Sequence, residues 1–284
     1  MGNMGLPMAK RLLDAGNEMV VYDLDNNKGD SLVQKGATWA SSPSDVAKQA
    51  AIIFSMVTNS EALEAIATGE KGIFESALRG ATFIDMSTVS PRSSEKVANE
   101  ALEKGITYLR IPVTGSTGNA EAGNLGIIAS GDYESYEQVL DLLKILGQKI
   151  FYLGAEEESR YMKLALNIMV GITSQMMGEA LAFGHKAGLD WKKMLEVMSN
   201  SSIASPLVCY KEDLLATRDF TPMFTVTLME KDIDMALDVG KDLVVHMPVT
   251  GLVKQQYAAA KATGKGDLDF FALVTLAEEF SGIK

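Results

Sequence analysis

The feature that most restricts this chain is a change of hydrophobic period near residue 156. Before it, short apolar runs alternate with helical patterns; after it, the runs stop. Residues 18–22, 51–56, 82–85, 107–111, 126–130 and 149–152 read as strands rich in Val, Ile, Phe and Tyr. Amphipathic helical patterns lie between several of them, at 91–103 and 133–146. Strands alternating with helices predict βαβ units and a mainly parallel sheet. Beyond 156 the pattern is helical throughout. A long helix is expected over 160–187, stopped at Gly188, then helices over 191–198, 206–216, 226–239, 248–262 and 270–280. The expected fold is therefore an α/β domain over 1–156 followed by an all-α domain over 157–284. No Pro/Gly/Ser-rich linker separates them, so the long helix itself is the joint.

Composition narrows the function. The 284 residues carry a net charge of −11, with 47% hydrophobic and 22% charged residues. That balance is ordinary for a globular protein and excludes a general nucleic-acid binder, which needs a basic stripe against phosphates. No apolar run reaches the ~18 residues of a membrane span, and the first residues lack a signal-peptide pattern. Cys209 is the single cysteine. It rules out an intrachain disulfide or a zinc ribbon and reads as a small buried hydrophobe. His185 and His246 are too few and too far apart for a histidine metal site, so no metal is expected. The sixteen methionines read as fillers of core and interface gaps. A cytoplasmic or matrix enzyme with a small-molecule substrate fits these bounds.

The N-terminus reads Met1-Gly2-Asn3-Met4-Gly5 and runs directly into a helical pattern. This matches the last positions of a G-x-G-x-x-G turn, whose glycines bring backbone close to a pyrophosphate at a helix N-terminus. Asp23 follows about twenty residues later, at the end of the next strand, where a carboxylate accepts from ribose hydroxyls. The same Asp23, with Asp25 and Asn26, equally suits the start of a turn. Leu24 stands where an arginine would meet a 2′-phosphate, which favours NAD over NADP. The first strand of such a unit would precede Gly2. Because that strand is central, the natural chain is expected to begin about ten residues earlier.

Four further segments resemble the β-hydroxyacid dehydrogenase family, which includes 3-hydroxyisobutyrate dehydrogenase and tartronate semialdehyde reductase. They are Asp85-Met86-Ser87-Thr88-Val89-Ser90-Pro91; Pro112-Val113-Thr114-Gly115-Ser116 with Ala120-Glu121-Ala122-Gly123; Lys163-Leu164-Ala165-Leu166-Asn167; and Lys231-Asp232 with the distant Gly264–Asp269 stretch. The resemblance implies a Rossmann-like N-terminal domain, a helical C-terminal domain and an active site between them. It implies that Gly2, Asn3 and Met4 contact the pyrophosphate and that Met56, Val57 and Thr88 line the cofactor. Thr114, Gly115 and Ser116 would hold a substrate carboxylate. Lys163 would be catalytic, Asn167 would orient substrate, and Lys231 would sit where cofactor and substrate meet. A homodimer or homotetramer is implied as well.

The chemistry of these residue types agrees. Removing a hydride from an alcohol carbon requires the hydroxyl proton to leave, and a lysine of lowered pKa can take it. Lys163 and Asn167 are spaced i, i+4 and share a helix face, continued by Gly171, Ser174, Gln175 and Gly178. Such a stripe suits the wall of a cleft; it also suits close helix packing. Two positions depart from the family pattern. Arg110 stands for an acid, and Ser116 for a glycine. Both suggest a more polar or anionic substrate, unless Arg110 points elsewhere. The acidic run before Lys163, residues 154–160, also departs from the usual glycines. An imine reductase and a non-catalytic nucleotide-binding scaffold are the competing readings. Imine-reducing relatives lack a lysine at position 163, and a scaffold need not keep Lys163, Asn167 and Lys231 together.

Overall fold

The structure is a computed structural model and describes residues 1–283. It divides into two compact units, Met1–Lys163 and Leu164–Lys284. The first contains α1 (Gly5–Asp14), β1 (Val20–Val21), α2 (Asp30–Val33), β2 (Thr38–Trp39), α3 (Pro43–Ala47), β3 (Ile52–Ser55), α4 (Ser60–Thr68) and α5 (Ile73–Ser76). It continues with β4 (Thr82–Asp85), α6 (Pro91–Lys104), β5 (Thr107–Arg110), β6 (Val113–Thr114), α7 (Thr117–Ala122), β7 (Gly126–Ala129), α8 (Tyr133–Leu146) and β8 (Lys149–Tyr152).

The pairing is mainly parallel. Strands β3, β4 and β5 pair in register through Ile52, Thr82 and Thr107. β7 and β8 are parallel, while β6 turns back antiparallel onto β7. A two-way backbone bridge between Arg110 and Ser130 carries β5 into this second group. β1 pairs only with β2, in parallel, and among the described residues no ladder joins them to β3.

Strand β4 shows why both faces must be covered. All four of its residues are buried. Successive side chains of a strand point to opposite faces. Phe83 accordingly enters a core with Ile53, Leu63, Val97 and Tyr108. Ile84 enters another with Met8 and Leu12 of α1, Leu109, Ile127 and Leu143 of α8. Each such side chain contributes about 1.5–3 kcal/mol by leaving water. The crossover helices carry the expected caps. Ser90 accepts from Ser93 N–H (3.1 Å) ahead of Pro91, and Asp132 accepts from Ser135 N–H (2.8 Å).

α9 (Glu158–Lys186) begins in the first unit and continues into the second. Gly188 stops it with φ +85, a left-handed conformation that costs glycine nothing. The second unit is helical: α10 (Trp191–Ser199), α11 (Pro206–Tyr210), α12 (Glu212–Thr217), α13 (Val226–Asp242), α14 (Pro248–Ala260) and α15 (Leu273–Phe280). Its core gathers Leu181, Leu195, Leu215, Ile233, Tyr257 and Phe271. No helix among the described residues is long and apolar enough to cross a membrane.

Three local expectations differ from the structure. The helix expected over 206–216 breaks at Lys211, which is fully buried with Nζ 2.7 Å from both oxygens of Asp269. Burial pulls the Lys211 pKa below its ordinary value against the opposing pull of Asp269. Residues 270–280 start with a 3₁₀ turn before α15. Cys209 is exposed, not buried. On short α11 Val208 is buried with Leu207 packed beside it, and Cys209 lies about 100° farther round the helix.

One strained position has a testable consequence. α13 ends in a Schellman turn: Val245 N–H donates to Gly240 C=O (2.8 Å) and Val244 N–H to Lys241 C=O (3.2 Å). The left-handed residue of that turn is Val244, with φ +57 and 90% exposure. An L-residue in this region costs roughly 1–2 kcal/mol. Val244→Gly is expected to stabilise the protein by about 1 kcal/mol, raising Tm by roughly 2–4 °C. A calorimetric Tm unchanged or lowered would refute the strain.

Candidate active site

The N-terminus of α1 forms one end of the site. Met8, Ala9 and Leu12 fix the helix in the core, leaving its first turn at the surface. Met4 occupies the N-cap without offering a side-chain acceptor to the N–H groups that follow. Such a helix start, with Gly2 and Asn3 exposed ahead of it, is of the kind that can receive an anion. A side chain at Gly2 would point into open space, so backbone can be approached there. Gly5 lies against Met56 at the end of β3.

Asp23 follows β1 and turns its carboxylate toward this same edge. It accepts from Asp25 N–H (3.0 Å) and is paired with the Met1 ammonium, with Lys28 Nζ at 3.9 Å. Burial pushes its pKa up, but the ammonium bond, the Asp25 N–H and nearby Lys28 outweigh this and hold it below the ordinary value. The neighbouring Leu24 is 92% exposed and, being aliphatic, brings no charge. A glycine turn at a helix start with a carboxylate beside it fits a dinucleotide. Gly2, Asn3 and Met4 would meet the pyrophosphate, and Asp23 a ribose.

The ends of β3 and β4 carry Met56, Val57 and Thr88, all half-buried. They are tied by one buried carboxylate. Asp85 Oδ1 accepts from Ser55 Oγ (2.6 Å) and Ser87 Oγ (2.7 Å), and Ser87 Oγ in turn accepts from Val57 N–H (2.8 Å). Asp85 Oδ2 accepts from Arg160 Nη2 (2.5 Å) on the first turn of α9.

The loop at 114–116 exposes Thr114 and Gly115. Gly115 has φ +131, and a Cβ there would come within 3.0 Å of Asn119. Ser116 caps α7 reciprocally: its N–H and hydroxyl donate to Asn119 Oδ1 (both 2.9 Å), and its Oγ accepts from Asn119 N–H. The hydroxyl that replaces a family glycine thus has a structural task. For Arg110 the structure takes the second alternative, that it points elsewhere. It is buried, donates from Nε to Glu157 Oε1 (2.7 Å), and stacks 4.9 Å over the Tyr108 ring. It is committed to an ion pair, so it does not recognise substrate. The acidic run before Lys163 is explained at the same time. Glu157 holds Arg110, Glu158 accepts from Glu156 N–H (2.8 Å), and Arg160 holds Asp85.

Lys163 lies half-buried on α9, with Asn167 one turn later. Asn167 is buried and donates from Nδ2 to Asp232 Oδ2 (2.6 Å). Lys231 Nζ lies 2.7 Å from Asp232 Oδ1, so the second unit brings Asn167, Asp232 and Lys231 together. Farther along, Gly171, Ser174 and Gly178 are packing positions, while Gln175 donates from Nε2 to Glu179 Oε1 (2.7 Å) at the surface. Gly171 lies against Ile233, Ser174 donates to Phe270 C=O (2.9 Å), and Gly178 lies against Val274. Sequence reading missed Asp85, Arg160, Asn119 and Asp232 as organising residues. A signal existed for Asp232, next to Lys231, and for Asn119, three residues after Ser116.

The chain matches two family models: the NAD binding domain of 6-phosphogluconate dehydrogenase over residues 1–154, and the NAD-binding model of NADP-dependent 3-hydroxyisobutyrate dehydrogenase over 158–277. It is 32% identical to 2-(hydroxymethyl)glutarate dehydrogenase of Eubacterium barkeri, covering 100% of this chain and 94% of that protein. It is 31% identical to 2-hydroxy-3-oxopropionate reductase of Escherichia coli, covering 98% and 95%. Its fold matches the crystal structure of 3-hydroxyisobutyrate dehydrogenase from Salmonella typhimurium with TM-score 0.89 and 21% identity, covering 97% and 96%.

The Arg110–Glu157 pair can be tested by removing one side. Glu157 Oε2 is buried without a hydrogen-bond partner, so the carboxylate depends on Arg110. Arg110→Met should cost about 3–5 kcal/mol in urea unfolding, and adding Glu157→Leu should recover most of it. A single variant as stable as the parent would remove the ion pair from this account.

Proposed function

Because the chain belongs to the β-hydroxyacid dehydrogenase family of NAD(P)-dependent hydride-transfer oxidoreductases, we propose that it oxidises a short β-hydroxy acid, or reduces the matching semialdehyde, with Lys163 handling the proton. The observation that carries this reading is the setting of Lys163. It follows, by one turn of α9, an arginine anchored to the strand ends beside the glycine turn and Asp23.

Bound NAD(P) supplies or accepts the hydride. The backbone of Gly2, Asn3 and Met4 holds its pyrophosphate, Asp23 its ribose, and Met56, Val57, Thr88 and Lys231 line it. The carboxylate at Asp23 and the uncharged Leu24 favour NAD over NADP. The loop Thr114-Gly115-Ser116 holds the substrate carboxylate, chiefly through Thr114 and the Gly115 backbone. In oxidation, neutral Lys163 takes the hydroxyl proton at Nζ; in reduction its ammonium returns one. Asn167 orients the substrate. Its Nδ2 bond to Asp232 fixes the orientation of the amide. Lys231 adds positive charge for an anionic substrate. The cofactor domain is taken as residues 1–156 and the helical domain as 157–284.

The test is turnover of a panel of short hydroxy acids and semialdehydes with NAD and NADP. Lys163→Ala should lower kcat by roughly 10²–10⁴-fold while cofactor still binds. Undiminished kcat in Lys163→Ala would defeat the assignment.

We also propose a homodimer or homotetramer. Met162, Met169, Met176 and Phe183 recur every seven residues along α9, and all are exposed, Phe183 by 78%. A seam of this period suits a second helix laid alongside. Sedimentation should show an assembly that Met169→Glu with Phe183→Glu dissociates. A monomeric parent would end the idea.

A further inference from the structure

We propose that Arg160 is a positioning residue, whose buried guanidinium sets the rotation of α9 and so the place of Lys163 relative to the ends of β3 and β4. This rests on the assignment of Lys163 above.

Arg160 is 1% exposed and spends its planar fork on four acceptors of three different elements. Nη1 donates to Ser87 C=O (2.7 Å), beyond the end of β4. Nη2 donates to Asp85 Oδ2 (2.5 Å) of β4 and to the Tyr108 hydroxyl (2.9 Å) of β5. Nε donates to Ser94 Oγ (3.2 Å) of α6. Ser94 and Tyr108 are within hydrogen-bond distance of each other as well (3.2 Å). Bonds in several directions to one rigid plane fix orientation, which a lysine's point charge would not do.

Stability alone does not require this arrangement. Apolar side chains of the same volume commonly serve a core as well as a buried ion pair does. What the pair adds is register. Arg160 and Lys163 are spaced i, i+3, so they share a helix face. The Asp85 carboxylate that holds Arg160 on Oδ2 holds Ser55 and Ser87 on Oδ1, and through Ser87 it holds the Val57 N–H. The strand ends proposed to line the cofactor and the turn that leads to Lys163 therefore share one anchor. Ser159 reinforces it from the next position, donating to Arg110 C=O (2.9 Å). Burial, opposed by Arg160, pushes the Tyr108 pKa up to about 12, so its hydroxyl stays protonated and able to hydrogen-bond.

The experiment uses the full chain with NAD(P) and its best hydroxy acid. Arg160→Lys should lower kcat about tenfold and leave the cofactor KM within about twofold, since small misplacements of a reacting group carry large rate costs. In the Lys163→Ala background the same change should cause no further loss of kcat, because its effect runs through Lys163. Tyr108→Phe, which removes one of the four acceptors, should show a smaller drop with the same dependence on Lys163. It decides the matter by the same criteria if Arg160→Lys does not fold. Parental kcat in the variant, or an equal fall in both backgrounds, would overturn the proposal. Full activity of Lys163→Ala alone would instead overturn the functional assignment on which it rests.

Discussion

The first unit depends on one buried contact, the ion pair between Asp85 and Arg160. Both side chains are essentially without solvent. Several kcal/mol of hydration are lost for each such ion, so the pair persists only because every direction is satisfied. Asp85 accepts from Ser55, Ser87 and Arg160, and Arg160 donates to Asp85, Ser87, Ser94 and Tyr108. The parallel strands supply the framework. Pairing of β3, β4 and β5 in register brings Ser55, Asp85 and Arg110 side by side at one end of the sheet. That end is where ligands bind in open parallel sheets.

The same physics governs the neighbouring charges. Arg110 would be an uncompensated cation at this strand end without Glu157, and Glu157 would be an uncompensated anion without Arg110. The chain places an acid and a base within the lead-in to α9 and gives each a partner on the sheet. A helix start is the favourable place for Glu157 and Glu158, since their charge opposes the helix dipole. Glycines that would leave this lead-in loose are replaced by residues that bind it down.

What the sequence revealed was governed by local period. Strands with a continuous apolar run, such as β4 and β8, and helices with a clear stripe, such as α8, were legible to the residue. The two-residue strands β2 and β6 carry too little pattern to announce themselves and arise from pairing across the chain. Lys211 sits on a helical pattern that reads straight through; only the distant Asp269 explains why a cation turns inward there. Whether Arg110 meets substrate or points elsewhere was open in the sequence, because sequence gives position along a strand and not the partner across the fold, here Glu157. The polar stripe of α9 divides for a similar reason. Composition does not tell a serine that packs against a carbonyl, as Ser174 does, from an asparagine that holds a carboxylate, as Asn167 does.

Lys163 sits between two such anchors. Three residues before it, Arg160 is bound to the buried carboxylate of Asp85. Four residues after it, Asn167 is bound to the buried carboxylate of Asp232. Each acid belongs to the unit in which its partner lies, and α9 carries both partners. A lysine has a flexible stem, so its amine is placed well only if its backbone is placed first. Pinning the helix one turn on either side does that. The restraint is borne by Arg160 and Asn167 and not by the lysine's own flexible stem.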